Sequence, residues 1–487
     1  MSFSSVQATK QVFIVLFSLL PEAVIDHSLV PLYPYMVRFL LPNEPESNIG
    51  FYSGLIGSAS HLPLFFMNLV WGSLSDRIGR KPVICIGLFA SCFTSFVLGF
   101  NKSYSVTVAC RFVAGVFGAN STIAKSMLGD ISDSDQTRAW AYALYGAIYG
   151  VMGIFGTLLG GLLANPAELY PDTFGNSKLL KDYPYLLPCL LGTFLSCVAL
   201  AFVLVYMREP PSFYARQYQN VRTNEDGETD EASNEIQMEH FTRKRRGPKA
   251  TPSSPSVKNS SPLLSETMGF AEIPYIRPET PPNEANMKER RFGVFSDVSP
   301  DVYLPICMYC TIALMHSMYS TSIPLYFSSK TDGLGFTARE TSFFLSAVSA
   351  CKLFVQILLF NSIMHALGSL RAFRLSIALC IPIHAILALL RPLRGTWLNL
   401  LLLLTMVLMG FGESVAFLSV IVLITEKSDK KTLGLTHGLA STAAAGCRFI
   451  GPAMAGAIWN EGVARGSYWL VFASGGLVGW LGYVLLQ

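Results

Sequence analysis

A chain of 487 residues in which 51% are hydrophobic and only 14% are charged cannot clothe a folded body in water, because a soluble surface needs about 25–35% charged residues. The mean hydropathy of +0.42 points instead to the bilayer as solvent. The net charge of +4 comes from basic residues held mostly in loops, which leaves no basic face for nucleic acid.

A hydrocarbon core about 30 Å thick is crossed by about 20 apolar residues in a helix. In chain order, apolar runs predict spans near residues 11–36, 51–72, 82–100, 104–128, 139–164 and 184–207. After a polar gap, spans follow near 302–327, 338–361, 371–391, 397–425, 433–459 and 467–486. The first run, from Gln11, is too long and too polar in its middle for a cleavable signal peptide. The expected fold class is therefore an all-α membrane protein with 12 transmembrane helices in two six-helix bundles. The expected domains are a cytosolic N-terminus (1–10), an N-terminal bundle (11–207), a disordered cytosolic linker (208–298) and a C-terminal bundle (299–487). The linker is rich in Ser and Pro and carries the basic run Arg243, Lys244, Arg245 and Arg246. Such a stretch buries too little apolar surface to fold.

Lys and Arg accumulate on the cytosolic side of membrane proteins. Arg77, Arg80 and Lys81 follow span 2, and Lys427, Lys430 and Lys431 follow span 10. Both loops and the linker fall on one side, so both termini are expected in the cytosol. Arg391 and Arg394, in the outer loop after span 9, run against this assignment. The 10 cysteines are scattered through apolar runs without a disulfide framework. Cys307 and Cys310 fall inside a span, where two small apolar residues on one helix face are the expected reading.

Ionisable residues inside spans are costly and mark function by default. Glu22 and Asp26 share a face of span 1 at i, i+4, with His27 beside them. Span 2 holds His61, span 4 Arg111, span 7 His316, span 8 Lys352 and span 10 Glu413. Helix rise puts Asp26 and Arg111 at similar depth, about 10–13 Å from the outer side. They read as a static ion pair or as a proton switch, and Arg111 could also snorkel to the interface. Each histidine also reads as a packing residue, and Glu413 as a structural hydrogen bond in a helix loosened by Gly410 and Gly412. Tyr33, Tyr35, Tyr145, Tyr149, Tyr319 and Phe417 are aromatics available for a cavity or for packing. There is no phosphate-binding loop, no metal-ligand spacing and no nucleophile–base set, so no ATP coupling, no cofactor and no enzyme activity are expected.

The loop after span 2 reads Gly72-Ser73-Leu74-Ser75-Asp76-Arg77-Ile78-Gly79-Arg80-Lys81-Pro82. It resembles the signature of the major facilitator superfamily in residues and in place. The resemblance implies the major facilitator fold, with spans 1, 4, 7 and 10 around a central cavity. It also implies a conformational latch of Gly72, Asp76, Arg77, Gly79, Arg80 and Lys81. Asp76 would face the start of span 11, near Leu433–Thr436, and a basic residue of the loop would pair with Asp130. Arg111-Phe112-Val113-Ala114-Gly115 resembles the arginine motif of proton-coupled members. Span 5 carries Gly146, Gly150, Gly153, Gly156, Gly160 and Gly161, similar to the antiporter glycine motif but with Phe155-Gly156 where Gly-Pro is usual. Span 11 has its own Gly451-Pro452 step, a candidate hinge.

Together these features resemble the twelve-span drug:proton antiporter branch and the fungal and plant zinc-induced-facilitator-like transporters. The implied protein is a monomer in a lipid bilayer that moves a small-molecule substrate by alternating access, coupled to protons. Asp26 and Arg111 come first as coupling residues, then Glu22 and Glu413, with His316, His61 and Lys352 around them. A uniporter remains open, as does a membrane sensor signalling through Thr251, Ser254, Ser261 and Thr280. The family similarity favours a vacuolar or other endomembrane over the plasma membrane.

Overall fold

The computed structural model describes residues 5–131, 135–210, 299–428 and 433–484. The expected linker, with its basic run and its Ser-Pro and Thr-Pro sites, lies outside the described residues from position 211 onward. Inside a bilayer every backbone N–H and C=O must be satisfied within the protein, which favours helices. The described residues are accordingly helical, with no strand among them.

Span 1 is α1 (Ser5–Leu29), a tight turn at Val30–Leu32, and α2 (Tyr33–Leu40). Pro31 and Pro34 remove backbone donors there, which is why the helix tightens. Span 2 is the bent pair α3 (Ile49–Ala59) and α4 (His61–Ile78), and span 3 is α5 (Arg80–Gly99). Span 4 breaks into α6 (Tyr104–Phe117) and α7 (Asn120–Ile131). Span 5 is α8 (Asp135–Leu163). Three short helices, α9 (Pro166–Leu169), α10 (Pro171–Phe174) and α11 (Lys178–Asp182), lead into span 6, α12 (Leu186–Tyr206).

The second half opens with α13 (Tyr303–Ser328). Span 8 is α14 (Ala338–Phe354), a π-helical turn at Val355–Leu359, and α15 (Phe360–Leu367). The last four spans are α16 (Ser369–Leu389), α17 (Gly395–Lys427), α18 (Leu433–Ala464) and α19 (Leu470–Val484). Nine described stretches are long and apolar enough to cross a bilayer. The bent pair α3–α4 adds a tenth, and α18 and α19 complete the twelve.

The two halves repeat one another at their turns. Gly79 joins spans 2 and 3 at φ 99°, ψ 162°, and Gly368 joins spans 8 and 9 at φ 73°, ψ 164°. Both are left-handed positions that only glycine adopts without strain. These two turns, with the described chain ends Ser5 and Val484, mark the base of the molecule. Tyr35, Asn165 and Asn460 mark the top.

The bundles are locked together at the top. Tyr35 Oη donates to Phe336 O at 2.7 Å and lies 2.7 Å from Thr341 Oγ1. Phe51 N donates to Asn460 Oδ1 at 3.0 Å. Ser58 Oγ donates to Phe449 O at 2.7 Å and accepts from Ala453 N at 3.1 Å. One hydrophobic core runs through both bundles here, with Leu32, Met36 and Ile56 against Met318, Phe327 and Trp459. Toward the base the cores separate. Val12, Leu16, Ile84 and Met127 belong to the N-terminal bundle alone, and Val355, Ala372 and Val415 to the C-terminal bundle. The conformer is closed at the top and parted at the base.

Gly50, Gly54 and Gly57 line one face of α3, where the backbone of Gly456, Pro452 and Ala453 of α18 approaches Gly50 and Gly54 and the Pro452 ring packs on Gly57. Small residues permit that approach. Gly54→Leu must therefore push α18 away and favour conformers open at the top. The expected result is faster alkylation of a Leu29→Cys reporter by an impermeant maleimide added at the top, with normal expression. Unchanged alkylation in a folded Gly54→Leu protein would show that this contact does not hold the top shut.

Candidate functional site

Two charged clusters sit near mid-depth, one in each bundle. In the first, Arg111 of α6 donates through Nη2 to Asp26 Oδ1 of α1 at 3.1 Å and to Ser60 Oγ at 3.1 Å. Ser60 is available because it lies at the joint between α3 and α4. The guanidinium also lies 5.9 Å from the Tyr33 ring centroid. Arg111 is buried while half of the Asp26 side chain is exposed, so the acid is the accessible partner. His61 follows Ser60 and places Nδ1 3.0 Å from Gly57 O. Glu22 stands one turn from Asp26, with its buried Oε2 lacking a hydrogen-bond partner among the described residues. A cavity of about 90 Å³ joins these groups, lined by Glu22, Asp26, Ser60, His61, Arg111 and Asn120. That is room for several waters.

The second cluster centres on Glu413 of α17, whose carboxylate is almost fully buried. His316 Nδ1 of α13 lies 2.9 Å from Oε1, and Lys352 Nζ of α14 lies 2.5 Å from Oε2. Gly410 lets α14 approach at Val348 and Cys351, and Gly412 lets α16 approach at Cys380. The expectation of a helix loosened by these glycines is corrected here. α17 is continuous from Gly395 to Lys427, and the two glycines serve close packing that brings Lys352 to Glu413. The π-helical turn begins three residues after Lys352. Such turns recur at functional sites.

His27 lies between the clusters. Its ring occupies the space left by Gly153 and Gly156 of α8. Ser349 of α14, one turn before Lys352, reaches the same Gly153 from the other bundle. The two clusters therefore face one another across the bundle interface. Several expected aromatics do other work. Tyr319 is buried, with its hydroxyl 3.3 Å from Met406 Sδ. Tyr35 belongs to the top closure. Tyr145 and Tyr149 pack on each other at 5.0 Å, with Lys125 5.1 Å from the Tyr145 centroid.

The signature residues form a separate group at the base. Arg80 is buried, with Nη2 2.7 Å from Asp130 Oδ2 and 3.7 Å from Asp76 Oδ1. Asp76 is 56% exposed. Arg77 is exposed, and Lys81 Nζ donates to Leu204 O at 2.8 Å. A side chain at Gly72 would meet open space, so Gly72 is no close-approach site in a conformer parted at the base. The side chains of Leu433, Gly434 and Leu435, expected beside Asp76, lie outside the described residues. Sequence reasoning missed Glu209, which accepts from Arg80 N at 3.0 Å and Lys81 N at 2.6 Å. It caps the start of α5, where the helix dipole favours a carboxylate. Its one signal was an acid placed just after span 6. The contrary charges Arg391 and Arg394 are held locally at the top. Arg391 lies 4.5 Å from the Tyr468 centroid, and Arg394 Nη1 donates to Arg391 O at 2.6 Å.

These features define a multi-pass helical membrane protein with a polar site between two six-helix halves. The Major Facilitator Superfamily profile matches residues 15–452, and the chain belongs to that family. It is 24% identical to the Major facilitator superfamily multidrug transporter mfsB of Aspergillus fumigatus, over 96% of this chain and 81% of that protein. It is 25% identical to Protein ZINC INDUCED FACILITATOR 1 of Arabidopsis thaliana, over 89% of this chain and 81% of that protein. Two solved structures share the fold. The human organic anion transporter MFSD10 (TETRAN) aligns at TM-score 0.58 and 16% identity, covering 99% of each chain. A D-xylose-proton symporter aligns at TM-score 0.64 and 12% identity, covering 99% of this chain and 98% of that one. The protein is a transporter of a small-molecule substrate and not an enzyme.

Breaking a buried ion pair leaves an uncompensated charge and costs about 3–5 kcal/mol. Glu413 is buried more deeply than Lys352. Lys352→Met is therefore expected to lower the unfolding temperature more than Glu413→Leu, and the double variant should recover part of the loss. Strictly additive losses in thermal unfolding would contradict this coupling.

Proposed function

We propose that the protein is a proton-coupled secondary transporter that moves a small organic solute by alternating access. The observation that carries this reading is the Asp26–Arg111 ion pair, with an accessible acid and a buried base beside a cavity. Arg111 is ion-paired with Asp26 at 3.1 Å. A proton arriving at Asp26 cancels the attraction and frees the guanidinium's hydrogen bonds. The second cluster then meets a differently charged neighbour across His27. Protonation stabilises one conformer only as far as its interactions differ between the two, and that difference is the coupling energy. The multidrug transporter among the relatives supports an organic solute.

The Lys and Arg pattern of the base favours a cytosolic base, with both termini and the 208–298 linker on that side. An endomembrane such as the vacuole is the favoured location, which fluorescence of a tagged protein at native level tests. The direction of coupling that the branch resemblance favours is antiport.

The test is uptake into vesicles under an imposed pH gradient. Wild-type protein should accumulate substrate only with the gradient. Asp26→Asn should lose that response, falling at least tenfold, while exchange of substrate without a gradient persists. Gradient-independent accumulation by the wild type, or full coupling in Asp26→Asn, would remove the proton from the mechanism. One observation favours a second reading. Arg111 is buried and bonded to both Asp26 and Ser60, as a static pair in a uniporter would be, and the same assay separates the two.

The signature loop acts in this proposal as a latch for closure at the base. Asp76 is exposed here and would reach the start of α18 only as the base closes. A carboxylate at a helix N-terminus is favoured by about 0.3–1 kcal/mol, so Asp76→Asn should shift the conformer ratio by up to about fivefold. Cysteine accessibility from each face reads that shift, and substrate affinity should stay near normal. Equal accessibility in both proteins would end the latch reading.

A further inference from the structure

Arg448 is an ionisable residue of the bundle interface that no step above uses. It stands 15 residues into α18, which spans Leu433–Ala464. By helix rise that is about 22 Å from the helix start, near the middle of the membrane. Two observations turn this stretch toward the other bundle. Pro452, one turn further along the same face of α18, would lie 3.2 Å from a side chain at Gly57 of α3. The charge of Arg448 is also felt at His61.

Its electrostatic position differs from that of the two ion-paired interface cations. Arg111 is paired with Asp26 and Lys352 with Glu413. Among the described residues, Arg448 has no carboxylate partner, and its described contact is a cation–π one, 5.6 Å from the Phe417 centroid. The interface region thus carries four permanent cations, Arg111, Lys125, Lys352 and Arg448, against three carboxylates, Glu22, Asp26 and Glu413. The surplus exists before any of His27, His61 or His316 takes a proton. An unpaired guanidinium at this depth is costly in a low-dielectric setting. A ring face offsets part of that cost but leaves the five N–H donors open to an anion.

The walls beside it are apolar and flat. Phe417 packs edge-on against Tyr309, with centroids 5.2 Å apart. A planar guanidinium next to a ring pair matches a ligand that joins an anionic group to a flat apolar body.

We propose that Arg448 and Phe417 form a recognition site for an organic anion, a carboxylate or sulfonate on an aromatic or similarly flat body, and that this anion is the transported solute. The inference rests on the transport reading above but not on its proton coupling. It deepens that reading by giving the substrate a charge. Arg448 supplies the bidentate contact and Phe417 the stacking surface. An anionic lipid phosphate shares this chemistry and is the competing source.

The test uses the full chain in phosphatidylcholine nanodiscs and three matched probes, a naphthalene bearing a carboxylate, a carboxamide or an aminomethyl group. Equilibrium binding is measured for each. The carboxylate should bind at least tenfold more tightly than the carboxamide, and the ammonium form weakest. Arg448→Gln should abolish that preference, Arg448→Lys should keep part of it, and Phe417→Ala should weaken all three probes. Removing an uncompensated charge should leave the unfolding temperature of Arg448→Gln equal to or above that of the wild type. A merely structural arginine would lower it. Equal binding of the three probes, no binding at all, or an undiminished preference in Arg448→Gln overturns the proposal. Displacement of the carboxylate by phosphatidylglycerol in the disc assigns the site to lipid and also overturns it. Anion binding that persists while uptake ignores a pH gradient upholds the anion site and removes only the proton.

Discussion

A charge carried into a bilayer is costly unless the protein supplies a partner for it, because the solvent offers none. That constraint accounts for the make-up of the two charged clusters of this chain. Arg111 is closed off by Asp26, Ser60 and the Tyr33 ring, and Glu413 is closed off by Lys352 and His316. Each cluster draws its members from different spans of one bundle, so each ties its own bundle together. Neither ties the bundles to each other, since every described ion pair of the two clusters stays within one half. The two halves can then part without separating opposite charges across the gap.

What holds the halves together here is packing and a few neutral hydrogen bonds at the top. The glycine face of α3 against Pro452 and Gly456, and the hydroxyls of Tyr35 and Ser58, are contacts that water can replace at modest cost. The ion pairs at the base, Arg80 with Asp130 and Asp76, lie wholly in the N-terminal bundle. The architecture therefore puts strong, charge-assisted contacts inside the moving bodies and weaker ones between them. That distribution suits a machine that must open at either end within a small energy range.

The spans were legible because about 20 apolar residues are what a bilayer selects. Their ends were less so, since α17 and α18 run for 33 and 32 residues, longer than the membrane requires. The interruption at Gly118 and Ala119 and the π-helical turn at Val355–Leu359 were not legible, because the apolar runs near 104–128 and 338–361 pass through both. Depth could be counted along a helix, which put Asp26 and Arg111 at one level before their 3.1 Å contact was seen. Rotation about a helix axis could not. The meeting of Glu413 with residues 61 and 97 positions away depends on how α13, α14 and α17 are turned toward one another. The same holds for Glu209, whose partners Arg80 and Lys81 are set by the packing of α12 on α5.

The central claim is that two rigid halves exchange closure at the top for closure at the base. Pulsed electron spin resonance on two spin-label pairs measures it most directly. One pair sits at exposed top positions Lys102 and Arg394, the other at exposed base positions Arg77 and Lys427. The account predicts two distance populations whose weights change with pH and with bound solute. Whenever the top pair lengthens, the base pair must shorten. Distances that stay fixed under every condition, or that lengthen together, would contradict it.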